Sequence, residues 1–492
     1  MHITVPVGPG PLRGLSEDGV AAFRGIPYAQ PPVGDLRWRA PEPVHRWDGT
    51  LDALAYGAAC PQPSLGGISL LRDGSEMSED CLYLNVWASA DVVGSGARLP
   101  VLFWIHGGAY QFGSGDLGER GNLFGDEFVL VSLNYRIGRF GQFAHPALTA
   151  EDPATSSNYG LLDILEGLRW VRANIAAFGG DPGNVTIFGI SSGAGMVNLL
   201  MVSALADGLF AKAISESANG FHPFPDREWM ERQGEAWALS VGAAEADGAG
   251  LRALPSDVVA QMALDPTHAP MPMVDGISVP VRPHVGFANG MQQKVPYLVG
   301  ATSLEGTLMQ VFPIPLEKVL AWLGGDADRV QTLYDPSGDR DPTDVTVDIY
   351  GDAGFVAPSR WLARGMDAVG CPTYLYYFDY VPEQLRGQLR GAPHGGEAPF
   401  LFRSWDLMPT MNPYAPTEAD RAVGEVMQAY WRNFAQTGDP NGTSRPAWPR
   451  FDPTSELALT FGPEGPLAGP HPTAGRLDLV EAPAAKDGPP IG

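Results

Sequence analysis

The chain has 492 residues, and 44% of them are hydrophobic, which is enough for a sizeable buried core. Its formal net charge of −24 at pH 7 excludes the basic footprint that nucleic-acid binding needs, and an anionic membrane would repel such a surface. The three cysteines are too few for a disulfide scaffold and lack the spacing of a metal site. The composition therefore predicts a globular protein with neither nucleic acid nor a membrane as its partner.

The N-terminal residues, MHITVPVGPG, do not resemble a signal peptide, because no basic stretch is followed by an apolar run. No apolar segment approaches the ~18 residues that a membrane helix needs. We therefore expect a cytoplasmic protein, the alternative being a secreted protein whose leader has been removed. We also expect a monomer.

Strand and helix signals alternate along the first half of the chain. Runs of β-branched and aromatic residues predict strands over 99–105 and 128–134. Apolar residues at helical spacing predict a helix over 161–175, which the glycines and proline of 178–184 end. Such alternation predicts an α/β fold with a mostly parallel sheet and helices on both faces.

The next transition from strand to helix carries the first candidate catalytic residue. A strand predicted over 185–188 leads directly into the sequence GISSG, and an apolar helix is predicted over 194–204. The pattern G-x-S-x-G marks a sharp turn that lifts a serine hydroxyl out of a sheet. Only Ser191 has a glycine two residues away on each side, so Ser191, and not Ser192, is the candidate nucleophile.

Backbone amides near this turn are candidates for an oxyanion hole. The N–H of Ser192 would lie at a helix N-terminus, where the helix dipole and a free amide favour a developing negative charge. The glycine-rich sequence HGGA follows the strand predicted over 99–105 and supplies further amides. We expect those of Gly108 and Ala109 to be the other two donors.

A serine hydroxyl is a poor nucleophile unless a base takes its proton. On this architecture a carboxylate and then a histidine follow the serine in the chain. Among the later histidines, His394 lies in a glycine-rich loop that is well suited to presenting an imidazole. Two carboxylates follow predicted strands, Glu305 and Asp379, and the residues alone favour Glu305 while leaving Asp379 open.

Several long motifs, in the right order, resemble the type-B carboxylesterases, a family of the α/β-hydrolase superfamily that includes cholinesterases and bacterial para-nitrobenzyl esterases. The likeness runs nearly end to end. The motifs are FRGIPYAQPPVGDLRW at 23–38, SEDCLYLNVW at 78–87, NYRIG at 134–138, FGGDP at 178–182 and WRNFAQTGDPN at 431–441.

The resemblance implies a single catalytic domain over 1–492 with an α/β-hydrolase fold, in which lid or cap insertions are added to the central sheet. We expect the loop 60–81 to lie over the entrance to the active site. Cap or peripheral helical insertions are expected at roughly 225–290 and 308–370, and a loose tail at 482–492.

Carried over by motif, the resemblance implies Ser191 as nucleophile, Glu305 as acid and His394 as base, which decides against Asp379. The expected reaction is hydrolysis of small to medium, neutral, apolar carboxylic esters through an acyl-enzyme, with no metal or organic cofactor. The alternatives are a carbamate or amide hydrolase that uses the same triad, and a non-catalytic cholinesterase-like binding domain. The last alternative predicts a lost triad residue, and none is lost.

Three aromatic residues lie near these motifs in the sequence, namely Phe112, Phe221 and Phe224. They are candidates for an apolar pocket that holds the acyl or alcohol group of the ester. The simpler interpretation of each is a core residue, because large aromatic side chains are most often buried for packing alone.

The resemblance also implies roles for residues outside the triad. Cys60 and Cys81 match a pair that closes a loop over the active-site entrance in many members, and whether they are joined here depends on the compartment. Ser217 resembles a second serine that can hydrogen-bond near the triad. Where the family usually has Glu, this chain has Ile190, and we hypothesise that this removes a negative charge beside His394.

Overall fold

The computed structural model of the chain describes residues 1–63, 70–72, 74–117, 127–221, 223–261, 270–310, 315, 317, 319–320, 323, 327–405, 414–443 and 445–487. The chain forms two compact units. The first comprises Met1–Phe188, Ser203–Ala211 and Phe224–Val281, and the second comprises Gly189–Val202, Lys212–Pro223 and Arg282–Gly492. No helix of the described residues combines the length and the apolar character that crossing a bilayer requires.

The strands, in chain order, are β1 (His2–Val7), β2 (Gly10–Glu17), β3 (Val20–Pro27), β4 (Leu51–Asp52), β5 (Tyr83–Ser89), β6 (Leu99–Ile105), β7 (Val129–Leu133), β8 (Gly180–Ile190), β9 (Lys212–Glu216), β10 (Tyr297–Thr302), β11 (Thr373–Phe378), β12 (Leu457–Gly462) and β13 (Gly465–Pro470). Four of them, β7, β9, β10 and β11, are buried at every position. Such continuous burial is typical of central strands that are covered on both faces.

In the first unit the strand order is β1-β2-β3-β5-β7-β6-β8, and β4 pairs with β2. The strands from β1 to β7 pair antiparallel along this order, and β6 pairs parallel with β7. The N-terminal strands β1 to β3 were not predicted from the sequence. Their residues include glycines and prolines, which have low strand propensity, so pairing rather than propensity holds them in the sheet.

In the second unit the strand order is β9-β10-β11-β12-β13. The first four pair parallel, and β12 and β13 form an antiparallel hairpin. Gly300 of β10 lies beneath the ring of Tyr376 on β11, because a Cβ at this position would meet that ring at 2.3 Å. Since β9 and β10 run in the same direction, the residues that follow them, including Ser217 and Glu305, leave the sheet at the same edge.

The α-helices, in chain order, are α1 (Gly138–Gly141), α2 (Pro146–Glu151), α3 (Tyr159–Asn174), α4 (Ser192–Val202), α5 (Arg227–Ser240), α6 (Gly248–Arg252), α7 (Ser256–Val259), α8 (Pro283–Ala288), α9 (Ala327–Tyr334), α10 (Pro342–Gly351), α11 (Ala357–Ala368), α12 (Ala398–Leu401), α13 (Glu418–Thr437) and α14 (Ala474–Asp487). Short 3-10 turns lie at Gly34–Leu36, Ile175–Phe178, Ala204–Ala206, Glu305–Gln310 and Glu383–Leu385. One turn of π-helix, Asp352–Val356, joins α10 to α11.

Helix α13 shows how local sequence sets the ends of an element. Thr417 accepts a hydrogen bond from the N–H of Asp420, and the Asp420 carboxylate accepts from the N–H of Thr417, which is a capping box. The helix ends at Gly438, whose φ of +83° is left-handed. Between these ends the helix buries one apolar face, which includes Trp431.

The predicted elements are mostly present, with shifted ends. The strand predicted over 99–105 is β6, and the helix predicted over 161–175 is α3. The break predicted over 178–184 is wrong in part, because β8 begins at Gly180. Pairing within the sheet extends that strand through residues of low strand propensity.

The segments expected to be helical insertions contain α5 to α8 and α9 to α11. The tail expected to be loose is helical as far as Asp487, because α14 continues through 482–487, and 488–492 lie outside the described residues. Leu477, Leu479 and Val480 are buried and anchor the start of this helix. In the loop 60–81, residues 64–69 and 73 lie outside the described residues. The single catalytic domain stays a prediction.

Candidate active site

Ser191 lies at the junction between β8 and α4, with a backbone φ of +56°. This left-handed conformation costs a non-glycine residue about 1–3 kcal/mol and persists only where the surroundings enforce it. The N–H of Ser191 donates to the carbonyl of Glu216 at 2.9 Å, and its own carbonyl accepts from the N–H of Gly195 at 2.9 Å. These two bonds tie the turn to β9 on one side and to the first turn of α4 on the other.

His394 is hydrogen-bonded through both of its ring nitrogens. Its Nε2 lies 2.9 Å from Oγ of Ser191, and its Nδ1 bonds Oε2 of Glu305. The side chain of His394 is 9% exposed and that of Glu305 is fully buried. A carboxylate at Nδ1 selects the tautomer with a proton on that nitrogen, which leaves Nε2 free to accept a proton from a hydroxyl.

The loops that carry Glu305 and His394 are held by bonds of their own. The N–H of Thr302, at the end of β10, donates to Oε1 of Glu305 at 2.6 Å. The N–H of His394 donates to Oγ1 of Thr307 at 2.9 Å. The Glu305 side chain is therefore fixed by a backbone amide as well as by His394, and the backbone of His394 is tied to the Thr307 side chain.

The electrostatic surroundings raise the pKa of His394 above its usual 6.5. Burial by itself lowers this pKa, but the charge of Glu305, the hydrogen bond to it and the charge of Glu397 outweigh burial. These carboxylates stabilise the imidazolium, the form that the ring takes after it has accepted a proton.

Asp379, the alternative acid, does not bond the imidazole, since Nδ1 of His394 bonds Glu305 instead. The main effect on Asp379 is burial, which raises the pKa of its carboxyl group.

A second buried carboxyl group, Glu397, lies three residues after His394. Its Oε1 accepts hydrogen bonds from Oγ of Ser217 at 2.9 Å and from the hydroxyl of Tyr376 at 3.2 Å. Burial and then the charge of Glu305 raise the pKa of Glu397 to about 7. The sequence-based reasoning missed this residue, although a carboxylate in the glycine-rich sequence HGGE was a usable signal.

Glu216 is another buried carboxyl group that the reasoning from sequence missed. Its Oε1 accepts from the indole N–H of Trp431 at 2.6 Å, and its Oε2 has no hydrogen-bond partner among the described residues. Burial and the charge of Glu397 raise the pKa of Glu216 well above its usual value.

The predicted oxyanion donors lie in both units of the chain. In the first unit, Gly108, Ala109 and Tyr110 have successive φ values of +121°, +53° and +60°. A Cβ at Gly108 would meet the carbonyl oxygen of Phe112 at 2.3 Å, so only glycine fits there. In the second unit, Ser192 begins α4, and its buried hydroxyl has no hydrogen-bond partner within the described part of the chain. Positive φ at non-glycine residues is typical of functional sites.

The remaining predicted residues are all buried. Ile190 is 8% exposed. Cys60 and Cys81 are free thiols and are not joined. A hydrogen bond between these two thiols and then burial raise the pKa of Cys81 well above its usual value.

The three phenylalanines predicted as pocket candidates are also buried. Phe224 packs edge-on against Tyr110 in the first unit, with ring centroids 6.2 Å apart. Phe221 packs in the second unit against His284 and Trp361, each at 5.7 Å. Phe112 is 4% exposed. Their lining of a substrate pocket stays a prediction.

The similarity of this chain to known proteins extends over nearly its whole length. A family model described as the carboxylesterase family matches residues 1–320 and 327–475. The chain is 35% identical to the fumonisin B1 esterase of Sphingopyxis macrogoltabida over 92% of this chain and 85% of that protein. It is 34% identical to the para-nitrobenzyl esterase of Bacillus subtilis (strain 168), over 94% and 95% of the two chains. A solved para-nitrobenzyl esterase structure matches with a TM-score of 0.85 and 32% identity, over 97% of this chain and 99% of that chain.

Proposed function

This chain belongs to the carboxylesterase family and is a carboxylic ester hydrolase, and from that premise we propose that Ser191, His394 and Glu305 are its catalytic triad. The α/β-hydrolase fold and the esterase class that were predicted from the sequence are both confirmed by the likeness to para-nitrobenzyl esterases. The assignment of individual residues to catalytic steps is the proposal.

The observation that carries the proposal is the distance of 2.9 Å between Nε2 of His394 and Oγ of Ser191. In the proposed mechanism His394 takes the hydroxyl proton while Ser191 attacks the ester carbonyl. Glu305 keeps the proton of Nδ1 in place and stabilises the imidazolium that forms. His394 then gives its proton to the leaving alcohol, and a water molecule repeats the cycle on the acyl-enzyme.

The tetrahedral intermediate needs donors for its oxyanion, and we propose the N–H groups of Gly108, Ala109 and Ser192 for this role. The support is the strained backbone at Ala109 and the position of Ser192 at the start of α4. The loss of one such donor lowers kcat by about 10²- to 10³-fold in serine hydrolases.

We propose small to medium, neutral, apolar esters as the substrates. The net charge of −24 disfavours anionic esters. Cationic esters gain no charge partner from the apolar side chain of Ile190. Carbamates and amides are the alternative substrate class, since Ser191, assisted by the same His394 and Glu305, can attack the carbonyl group of either.

The decisive experiment is labelling with an organophosphate, followed by mass spectrometry of the modified peptide. We expect the adduct on Ser191, with loss of hydrolysis of p-nitrophenyl esters, and no adduct in Ser191→Ala. Matched ester, carbamate and anilide substrates with acyl chains of graded length then define the substrate class. An adduct on Ser192 or Ser217 would refute the assignment.

We further propose a cytoplasmic location for a monomer that binds only a small-molecule ester. The redox state of Cys60 and Cys81 tests this location, because a reducing compartment keeps thiols unpaired. When the protein is isolated from its natural source and then unfolded in denaturant, titration with a thiol reagent should find three thiols. A single thiol would indicate the oxidised pair and secretion.

A further inference from the structure

The single turn of π-helix at Asp352–Val356 is an unusual element, because α10 leads into it and α11 follows it directly. A turn of π-helix contains one more residue than a turn of α-helix, and its backbone hydrogen bonds have poorer geometry. Such turns therefore persist mainly where they serve a site. This one is buried along its whole length. We call Gly351 and the five residues of the π-helix, Asp352–Val356, the π-turn.

The π-turn packs against the proposed base. The ring centroid of Phe355 lies 4.8 Å from that of His394, with the two planes inclined at 54°. Phe355 is 3% exposed, and Tyr350 contacts it at 6.1 Å between ring centroids. The imidazole is thus held by hydrogen bonds at its two nitrogens and by an aromatic ring that is itself fixed in the core.

The same turn also packs against the proposed acid. A Cβ at Gly351 would lie 3.3 Å from Cβ of Glu305 and 3.0 Å from the backbone nitrogen of Gly306. The helix backbone therefore approaches Glu305 as closely as a residue without a side chain allows. Gly351 and Phe355 bring one element into contact with both members of the hydrogen-bonded pair.

The π-turn is anchored at Asp352 from two directions. Oδ2 of Asp352 accepts a hydrogen bond from the hydroxyl of Tyr334 at 2.9 Å and an ion-paired bond from Nε of Arg476 at 2.9 Å. The guanidinium of Arg476 also lies 5.1 Å from the ring centroid of Tyr334. Because Arg476 belongs to α14, that helix fixes the position of the turn.

We propose that the π-turn is a positioning element for the Glu305–His394 pair, in which Phe355 restrains the plane of the imidazole and Gly351 sets the position of the carboxylate. This inference rests on the proposed function of the triad. The positioning residues do not touch the reacting atoms. They act by keeping Nε2 aligned with the Ser191 hydroxyl, and a displacement of 1 Å costs about 10²-fold in rate.

The first experiment compares Phe355→Ala and Phe355→Leu with the control Phe287→Ala. Phe287 is equally buried but packs on Tyr297, away from the pair. We expect Phe355→Ala to lower kcat about 10- to 100-fold with little change in KM, because the transition state and not the bound ester loses alignment. Phe355→Leu should stay within about fivefold of wild type, since it keeps most of the apolar volume.

Proton NMR separates positioning from a loss of stability. The proton shared by Nδ1 of His394 and Glu305 should give a resonance far downfield of the amides. We expect this resonance to shift or broaden in Phe355→Ala and to be unchanged in Phe287→Ala. Each kcat is normalised to the fraction of protein that an organophosphate can label, so misfolded protein does not count.

The second experiment uses Gly351→Ala. The φ of −61° at Gly351 suits alanine, and alanine favours a helix by about 1 kcal/mol over glycine, which offsets the close contacts that the new methyl group makes with Glu305 and Gly306, so the melting temperature should change little. The new methyl group presses on Glu305, and we expect kcat to fall about three- to tenfold.

An unchanged resonance in Phe355→Ala, or an unchanged kcat in Gly351→Ala, would overturn the positioning role. A wild-type protein that takes no label at Ser191 would refute the proposed triad instead. The two failures are distinguishable, because the label is measured on wild type and the positioning role on the variants.

Discussion

The hydroxyl of Ser217 donates a hydrogen bond of 2.9 Å to the carboxyl group of Glu397, whose charge raises the pKa of His394. Ser217 also has a left-handed φ of +53°. The bond lowers the pKa of Glu397 against the stronger effect of burial, which raises it. Ser217 is therefore better interpreted as a partner of Glu397 than as a second nucleophile.

Ser217→Ala should retain esterase activity within about tenfold, whereas Ser191→Ala should lose about 10⁴-fold or more. Without the Ser217 hydroxyl, the pKa of Glu397 rises, so Glu397 carries less charge near neutral pH. The acidic limb of kcat/KM should then move to lower pH. The measurement is a pH–rate profile with a p-nitrophenyl ester, and loss of the organophosphate adduct in Ser217→Ala would contradict it.

Glu397→Gln should move the same acidic limb further. The Glu397 charge raises the pKa of His394, so removing it lowers that pKa and the base becomes neutral at lower pH. Because His394 and Glu397 interact, the limb reports the pair and not one residue. An isosteric glutamine keeps an acceptor for the Ser217 hydroxyl, and a limb that does not move would contradict the electrostatic coupling.

Ile190→Glu should shift the acidic limb in the opposite direction. If position 190 lies beside His394, as we hypothesise from the sequence, a carboxylate there stabilises the imidazolium and raises the pKa of His394, so more alkaline pH is needed for activity. Ile190→Gln is the matched control, because it adds a polar group without a charge. Equal profiles for the two variants would show that only packing changes at this position.

The stability that Glu397 and Glu216 contribute should fall as the pH rises from about 5 to about 7. Glu397 has a folded-state pKa of about 7 and Glu216 one well above 4.5, so the folded state holds protons that the unfolded chain releases. The stability that these groups contribute is complete below their unfolded pKa values and is lost as the pH passes their folded ones. His394, whose pKa is also raised, acts in the same direction.

Melting temperatures across this pH range measure the effect. From pH 5 to pH 7 the melting temperatures of Glu397→Gln and Glu216→Gln should fall less, or rise more, than that of wild type, since neither variant has a carboxyl proton to release. Glu216→Ala differs, because it leaves the indole N–H of Trp431 without its acceptor, which costs about 1–3 kcal/mol. Parallel curves for wild type and both glutamine variants would contradict the prediction.

The residues that the sequence predicted best are those with a local signal. The glycines around Ser191 and the strand before it predict the turn, and the structure has both. The position of His394 in a glycine-rich loop was also readable. Glu305 was only favoured over Asp379 until the family motif was considered, because a carboxylate after a strand is common.

The residues that the sequence left unassigned depend on contacts between distant segments. The bond between Ser217 and Glu397 joins positions 180 residues apart, so no local pattern predicts it. The π-turn arises from packing of α10 and α11 against the loops of the second unit, and its sequence, DAGFV, has no propensity that marks it. N-terminal strands rich in glycine and proline were missed for the same reason.

The anchoring of Asp352 by Arg476 has a consequence for the order of events during synthesis. Arg476 leaves the ribosome after all three groups of the proposed triad. A nascent chain arrested between His394 and Arg476 therefore carries every reacting group of the proposed triad but lacks Arg476, which pairs with the buried Asp352 carboxylate. We expect such a chain to be inactive although all three triad residues have been translated. It should become active only when α14 has been made and has packed against the π-turn.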